Sequence, residues 1–290
     1  SGRPGPVVIA IPDPHAQYDE MADPYIPVKG SKYAPDPADI AGAVDLLLKA
    51  EKPLIYAGEG VIYAGASAEL KEFAELVNAP VITTLKAKGA FSEDHPLFVG
   101  VRGDQVNHYL NECDLLFAVG SSLSPGRFSH GIPNAVNKTI VHCTIDELHV
   151  NKTYPTAQAV IGDAKFTLEA LNAEVSAKTS GNGRPAGNVA SEVKSVRDSA
   201  MTKYREAMAS TEKPINPYKV YAGLMEALDP LTSFVTHESG NTRDQLSTVY
   251  ETLVPRGFLG WGNVSSLGFS FAATIAAKQA FPDKDCVAVT

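Results

Sequence analysis

The chain has 290 residues, of which 44% are hydrophobic and 20% charged, and its formal charge at pH 7 is -8. This length accommodates two domains of ordinary size. A nucleic-acid or anionic-membrane surface needs clustered Lys and Arg, so for an acidic chain we expect neither partner. No apolar stretch approaches the roughly 18 residues of a membrane span, and no signal-peptide pattern is present, so the sequence predicts a cytoplasmic protein.

The cysteines and histidines show no metal-binding or disulfide pattern. Cys113, Cys143 and Cys286 are far apart and lie in or beside apolar runs, which favours reduced, buried thiols. No pair of the seven histidines has a convincing ligand spacing. The sequence therefore predicts no metal ligand within the chain.

The first 34 residues predict one strand followed by an irregular connector. The segment "GRPGPVVIAIP" predicts a strand over residues 7–11, which Pro12 ends. Residues 13 to about 34 are rich in Pro, Asp and Tyr and lack periodicity. We interpret them as an extended connector.

From residue 35 to 177, amphipathic helices alternate with apolar strands. Helical faces carry Ile40, Val44, Leu47 and Leu48, and then Leu70, Phe73, Ala74 and Val77. The predicted strands are "PLIYAG" at 53–58, "PVITT" at 80–84, "DLLFAVG" at 114–120, "TIVHCTID" at 139–146 and "AQAVIGDA" at 157–164. This alternation predicts an α/β domain with a doubly wound parallel sheet.

A second α/β unit begins after a linker and a long helix, which together span 178–211. The pattern predicts Asn216 as an N-cap with Pro217 at the first helical position, and the strand "SFVTHE" follows at 233–238. The last apolar run, residues 286–289, predicts another buried strand. Residues 212–290 are therefore predicted to be the start of a second α/β domain.

Two glycine-containing loops follow predicted strands in the first domain. In "AGEGVIYAG" at 57–65, glycines allow either a nucleotide phosphate or a tight strand-to-helix turn. In "GSSLSPGRFSHG" at 120–131, Arg127 could pair a phosphate or lie in solvent. The pattern leaves both readings open in each loop.

Two segments of the second unit are more informative. In "HESGNTRDQ" at 237–245, Gly240 allows close backbone approach and Asn241 and Thr242 supply donors, as in an anion cradle. "GWGNVSSLGFSFAATIAAK" at 260–278 places small residues before an Ala-rich helix. By pattern alone, an ordinary buried helix after a tight turn is favoured for this segment.

Taken together, these segments resemble the thiamine diphosphate enzymes of the acetolactate synthase type. "GRPGPVVIAIP" resembles the last strand of that family's pyrimidine-binding domain. Four segments resemble successive parts of the family's central domain: "KPLIYAGEGV", "APVITTLKAKGAFSEDHPLFVG", "CDLLFAVGSSL" and "TIVHCTIDELHVNK". The segment from "ESGNTRDQ" to "CVAVT" resembles the first part of the diphosphate-binding domain. The resemblance implies that 1–34 ends the pyrimidine-binding domain, 35–177 is the central domain, and 212–290 is a truncated diphosphate-binding domain.

The resemblance also implies roles for individual residues. Gly240, Asn241 and Thr242 match the turn that contacts the diphosphate, and Gly262 and Asn263 are further candidates for cofactor contact. Leu267 matches the apolar residue that wedges between the two cofactor rings, and Ser265 matches a residue whose carbonyl receives a hydrogen bond from the cofactor amine.

The family's magnesium ligands follow the strand matched by "CVAVT", so the resemblance implies that they lie beyond residue 290. The family's pyrimidine-binding glutamate would lie upstream of residue 1. We therefore expect an internal fragment that alone neither binds thiamine diphosphate usefully nor turns over a 2-oxo acid. The family further implies a homodimer or homotetramer for the full-length protein.

The chain departs from the family's pattern at two places. Gln245 stands where the synthases usually have Trp, which predicts a more polar acceptor pocket and slow self-condensation of pyruvate. The acidic pair that precedes the Arg of flavin-binding members is absent before Arg127, so we expect no tightly held flavin.

Three functions stay open at this point. The first is carboligation of 2-oxo acids with thiamine diphosphate and magnesium. The second is a simple 2-oxo acid or oxalyl-type decarboxylation, and the third is a nucleotide-binding module without catalysis.

Overall fold

The computed structural model describes residues 2–12, 17, 21–22, 24–126, 129–185, 187–262 and 265–290. Within these ranges the chain forms a six-stranded and a three-stranded sheet, both covered by helices. The predicted α/β fold with a second α/β unit is confirmed.

The six-stranded sheet is parallel throughout and has the order β3-β2-β1-β4-β5-β6. Its strands are β1 Pro53–Ala57, β2 Val81–Thr83, β3 Phe98–Gly100, β4 Leu115–Val119, β5 Thr139–Thr144 and β6 Gln158–Ile161. The chain winds from the middle to one edge and then from the middle to the other, so the carboxyl ends of β1 and β4 lie at the switch point. The predicted doubly wound sheet is confirmed, and all five predicted strands are present.

Side chains of the sheet alternate between two cores. The helices of this unit are α1 Pro37–Lys49, α2 Gly60–Ala64, α3 Ser67–Val77, α4 Asp104–Glu112 and α5 Ala164–Lys178, followed by α6 Val189–Met208. Ile55 and Phe117 face the core that α1, α3 and α5 cover, whereas Leu54 and Leu116 face the core under α4 and α6. Burial on both faces explains why these strands are continuous apolar runs.

The second unit contains α7 Pro217–Ala227, β7 Ser233–His237, α8 Asn241–Val249, β8 Phe258–Leu259, α9 Phe269–Ala280 and β9 Asp285–Val289. Its parallel sheet has the order β8-β7-β9. The predicted cap of α7 is confirmed, because the Asn216 side chain accepts a hydrogen bond from the Tyr218 amide at 3.0 Å. Val235, Leu246 and Phe258 form the centre of its core.

A buried ion pair joins the two units. The loop after β2 carries Lys88 and Glu93, which are 1% and 3% exposed, and their side chains lie 2.5 Å apart. Glu93 also exchanges two hydrogen bonds of 3.2 Å with the backbone of Thr252, one through its carboxylate and one through its amide. The second unit is therefore anchored to the central sheet by charged groups that water does not reach.

The predictions for residues 7–11 and for the Ala-rich helix were wrong. Residues 7–11 are assigned no strand, and the apolar side chains among them are 71–92% exposed because they pair with no strand of the described chain. The Ala-rich helix forms as α9, but it is not an ordinary buried helix. It packs on β7 and β9 by one side only, and Phe271 and Ile275 on its other side are 69% and 49% exposed.

Candidate functional site

The predicted anion cradle lies at the carboxyl end of β7. Gly240 is the N-cap of α8 and has φ +100° and ψ -145°, a conformation that residues with a side chain rarely adopt. A Cβ at this position would meet no atom within 4 Å. The backbone conformation, rather than a close neighbour, therefore requires glycine here.

The first turn of α8 is open to a ligand. Asn241 is exposed and Thr242 is half-buried, and Gly240 has no side chain with which to cap the helix. Among the described residues, no side chain accepts a hydrogen bond from the amides of Asn241 or Thr242. Because uncapped amides and the helix dipole both favour an anion, this turn fits a diphosphate.

The loop before α9 lies against this cradle. The hydroxyl groups of Ser239 and Ser265 form a hydrogen bond, which brings the two predicted cofactor segments together. Leu267 is 85% exposed and is followed by Gly268, the N-cap of α9, at φ +82°. Asn263 lies outside the described residues. An exposed leucine in the loop that lies against the open first turn of α8 is suited to contact the apolar part of a ligand.

The Glu238 side chain links the turn at Gly240 to the start of α9 by hydrogen bonds. One carboxylate oxygen accepts the Ser239 amide at 2.8 Å, and the other accepts the amide and hydroxyl of Ser270 at 3.3 and 2.7 Å. The Glu238 carbonyl also accepts the Thr242 hydroxyl at 3.1 Å. The hydrogen bonds from Ser239 and Ser270 hold the pKa of Glu238 below its usual range, so the carboxylate stays charged.

A buried aromatic group supports the cradle. His237 is fully buried, and its ring centre lies 5.7 Å from that of Phe258 and 5.8 Å from that of Trp261. Burial lowers the pKa of His237 to about 4, which keeps the ring neutral near pH 7. The Arg243 guanidinium lies 5.2 Å from the Trp261 ring, a cation-π contact.

Gln245 lies one turn along α8 from the cradle. Its side-chain oxygen accepts a hydrogen bond of 2.9 Å from the Tyr221 hydroxyl, which orients the amide. The position at which the resemblance implies Trp is thus occupied by a half-buried polar side chain, which Tyr221 holds in place.

A cavity of about 620 Å³ lies at the carboxyl edge of the six-stranded sheet, apart from the cradle at Gly240. Glu59 and Lys86 form an ion pair in it, and Gly262 joins its wall beside Lys86. The Tyr56 hydroxyl and His130 Nδ1 lie 3.2 Å apart. Arg127, the predicted phosphate ligand, lies outside the described residues.

The glycines at this edge are explained by packing. A Cβ on Gly58 would lie 2.3 Å from the Gly120 carbonyl oxygen, and one on Gly120 would lie 2.8 Å from the Val61 amide. The loops after β1 and β4 therefore touch backbone to backbone. Of the two readings of "AGEGVIYAG", the tight turn is the one for which the structure supplies a reason.

In the described part of the chain, no three His, Cys, Asp or Glu side chains are grouped closely enough to hold a metal ion. No helix in the described ranges is long and apolar enough to cross a membrane.

Comparison with known proteins identifies the first unit. Residues 40–171 match the family model described as thiamine pyrophosphate enzyme, central domain. These residues are a central domain of the thiamine pyrophosphate enzyme family. Thiamine pyrophosphate is another name for thiamine diphosphate, so the resemblance predicted from the sequence is confirmed.

The similarity extends beyond the central domain of this family. The whole chain is 32% identical to a probable acetolactate synthase large subunit of Methanococcus aeolicus and 33% identical to one of Methanocaldococcus jannaschii, covering 51% of each. It is also 30% identical to the glyoxylate carboligase of Escherichia coli O157:H7, of which it covers 49%. The chain thus spans about half the length of the curated relatives that it matches.

Sequence reasoning missed the residues that hold the site in place. Glu238 lies in the motif "HESGNTRDQ", but no role was predicted for it, because its partner Ser270 is 32 positions away. The contact of Tyr221 with Gln245 has no local signal, since the two residues are 24 positions apart.

Proposed function

We propose that the full-length protein uses thiamine diphosphate and magnesium to join 2-oxo acids, or to decarboxylate them. One observation carries the proposal: the open first turn of α8 and the loop before α9 meet at the carboxyl end of β7. The similarity of the whole chain to acetolactate synthase large subunits and a glyoxylate carboligase supports it.

The residues of the cradle have distinct roles in this proposal. Gly240, Asn241 and Thr242 bind the diphosphate through backbone amides and short polar side chains. Leu267 contacts the apolar part of the cofactor, and the Ser265 carbonyl holds its amine. When bound, thiamine diphosphate supplies a nucleophilic carbon for the 2-oxo acid carbonyl and accepts the electrons released by decarboxylation.

Gln245 affects the choice of acceptor in this proposal. Its amide, oriented by Tyr221, offers hydrogen bonds where Trp would offer an apolar surface. An acceptor with a polar group at this position is favoured over a second pyruvate, because the apolar methyl group of pyruvate would leave the side-chain NH2 of Gln245 without a hydrogen-bond partner. We therefore expect slow acetolactate formation from pyruvate.

The experiment is a turnover assay with the complete gene product, thiamine diphosphate and magnesium. Carbon dioxide release is measured from a panel of 2-oxo acids, and the products are identified by mass spectrometry. Carboligation products would support the synthase-type reaction, and free aldehydes alone would support the simple or oxalyl-type decarboxylase. No cofactor-dependent turnover of any 2-oxo acid would refute the enzyme proposal.

A nucleotide-binding role of the central domain is the second candidate, and the cavity of about 620 Å³ favours it. If binding is its whole function, ADP would bind to the complete protein while thiamine diphosphate would not. We expect no tightly held flavin, and a flavin absorption band that persists through gel filtration would overturn this.

We also propose that the protein acts in the cytoplasm as a homodimer or homotetramer. The exposed apolar side chains of Phe271 and Ile275 support a contact surface on the second unit. Analytical ultracentrifugation of the complete protein tests the assembly, and a monomer at micromolar concentration would refute it.

A further inference from the structure

Glu238 caps a helix other than its own. It directly follows β7 and lies two residues before Gly240, the N-cap of α8, but its carboxylate caps no amide of α8 among the described residues. Instead, one oxygen accepts both the amide and the hydroxyl of Ser270 in the first turn of α9. One amide in the first turn of α9 is thereby satisfied, while no side chain among the described residues caps the N-terminus of α8.

This arrangement also keeps a negative charge away from an anion site. A carboxylate capping α8 would compete with a diphosphate for the same amides and repel it. With Ser239 and Ser270 as donors, the Glu238 charge is compensated within the protein. These hydrogen bonds reduce the repulsion between the Glu238 carboxylate and an anion bound at α8.

The same carboxylate fixes the spacing of the two loops. Ser270 is fully buried and belongs to α9, whereas Glu238 is continuous with β7 and its carbonyl accepts the Thr242 hydroxyl. The hydrogen bond between Ser239 and Ser265 is the second link between the loops, and both of its residues are nearer the surface. Among the described residues, loss of Glu238 would leave the outer hydrogen bond between Ser239 and Ser265 in place.

We propose that Glu238 is a positioning residue of the cofactor site: by capping α9 it locks the loop before α9 onto the turn at Gly240 and leaves the amides of α8 free for the diphosphate. This inference rests on the proposed function for the identity of the anion. The tether itself does not depend on it.

The test compares Glu238→Gln with Ser270→Ala in the complete protein. Glu226→Gln is the control, because Glu226 is an exposed glutamate on α7 of the same unit. In Glu238→Gln, the side-chain NH2 group must face either the Ser239 amide or the donors of Ser270, because glutamine keeps only one acceptor oxygen. We expect hydrogen exchange of residues 238–242 and 265–270 in the cofactor-free protein to accelerate about tenfold or more, as for loss of a hydrogen bond to a charged group.

Cofactor affinity is the second measurement. By calorimetry with magnesium present, Glu238→Gln should bind thiamine diphosphate about tenfold more weakly and Ser270→Ala should show a smaller loss, since it removes one of several donors. At saturating cofactor, kcat should change much less than the cofactor concentration needed for half-maximal rate. Glu226→Gln should match the wild type in every measurement.

Three results would overturn the inference. The first is wild-type exchange and affinity in Glu238→Gln, and the second is accelerated exchange throughout 212–290, which would make Glu238 a general folding residue. The third is an unchanged Ser270→Ala variant. A wild-type protein that binds no thiamine diphosphate would instead refute the proposed function, while the exchange of the cofactor-free variants would still decide whether the tether exists.

Discussion

Removing one charge of the buried pair between Lys88 and Glu93 should destabilise the protein strongly. Lys88 is 1% exposed, and its ammonium lies 5.4 Å from the Phe258 ring centre as well as 2.5 Å from the Glu93 carboxylate. Burial lowers the pKa of Lys88 and raises that of Glu93, so each charged form depends on the other for compensation. Breaking such a pair costs about 3–5 kcal/mol, because the remaining group is left uncompensated.

The structure also predicts that the double variant is more stable than either single variant. Lys88→Met keeps the volume and the contact with Phe258, and Glu93→Gln retains an oxygen that can accept the Thr252 amide. With both changes no buried charge is left, and replacing a whole buried pair is often close to neutral. We expect a coupling free energy of at least about 1 kcal/mol between the two sites.

Urea unfolding at pH 7, followed by circular dichroism, measures these changes. Lys52→Met is the matched control, because Lys52 and Glu112 form an ion pair of 3.0 Å whose side chains are 62% and 52% exposed. It should change stability little, because solvent screens exposed pairs. The reasoning is refuted if the single variants cost less than about 1 kcal/mol, or if the double variant costs the sum of the two.

Three further changes test other parts of the structure. Gly58→Ala should lower the free energy of unfolding in urea by about 1–3 kcal/mol, because the added Cβ would lie 2.3 Å from a backbone atom. Gly223→Ala is the control, because the added Cβ would meet open space on α7, and it should raise stability by up to about 1 kcal/mol. Equal effects of the two substitutions would contradict this. The pKa of His237 is about 4 in the folded protein, below its usual value of about 6.5. As the pH falls, the unfolded chain therefore takes up this proton before the folded chain does. The free energy of unfolding should fall between pH 6.5 and pH 4, by at most about 1.4 kcal/mol per pH unit for this residue. His237→Gln should flatten that pH dependence, and an unchanged slope would argue against a buried neutral ring. Gln245→Trp should raise acetolactate formation from pyruvate in the complete protein at unchanged cofactor affinity, and a rate no higher than wild type would refute the polar acceptor pocket.

The central sheet was predictable because its strands are buried on both faces. Every predicted strand of that sheet is present, since a continuous apolar run between amphipathic helices is typical of a strand in a covered parallel sheet. The strand β3, Phe98–Gly100, was not predicted, because three residues carry no periodicity. Residues 7–11 have the composition of a strand, but strand formation depends on a partner that composition does not reveal.

The site was predictable in its segments but not in its connections. Gly240 carries a local signal, because only glycine tolerates its backbone conformation. Lys88 has the sequence of a surface lysine, yet it is nearly inaccessible because Glu93 and Phe258 enclose its ammonium. Some of these contacts join residues that are distant in sequence, and others depend on how deeply a residue is buried. A single amino-acid sequence reveals neither property.

Binding of thiamine diphosphate in comparison with thiamine tests the central claim most directly, namely that the first turn of α8 holds the diphosphate. The complete protein is titrated by calorimetry with each compound in the presence of magnesium, and the Gly240→Ala variant is titrated in parallel. We expect micromolar binding of thiamine diphosphate and at least roughly tenfold weaker binding of thiamine, because only the diphosphate accepts charge-assisted hydrogen bonds from the amides of α8. The Gly240→Ala variant should show a marked loss of affinity for thiamine diphosphate. Equal affinity for the two compounds, or a variant that binds like the wild type, would contradict the account.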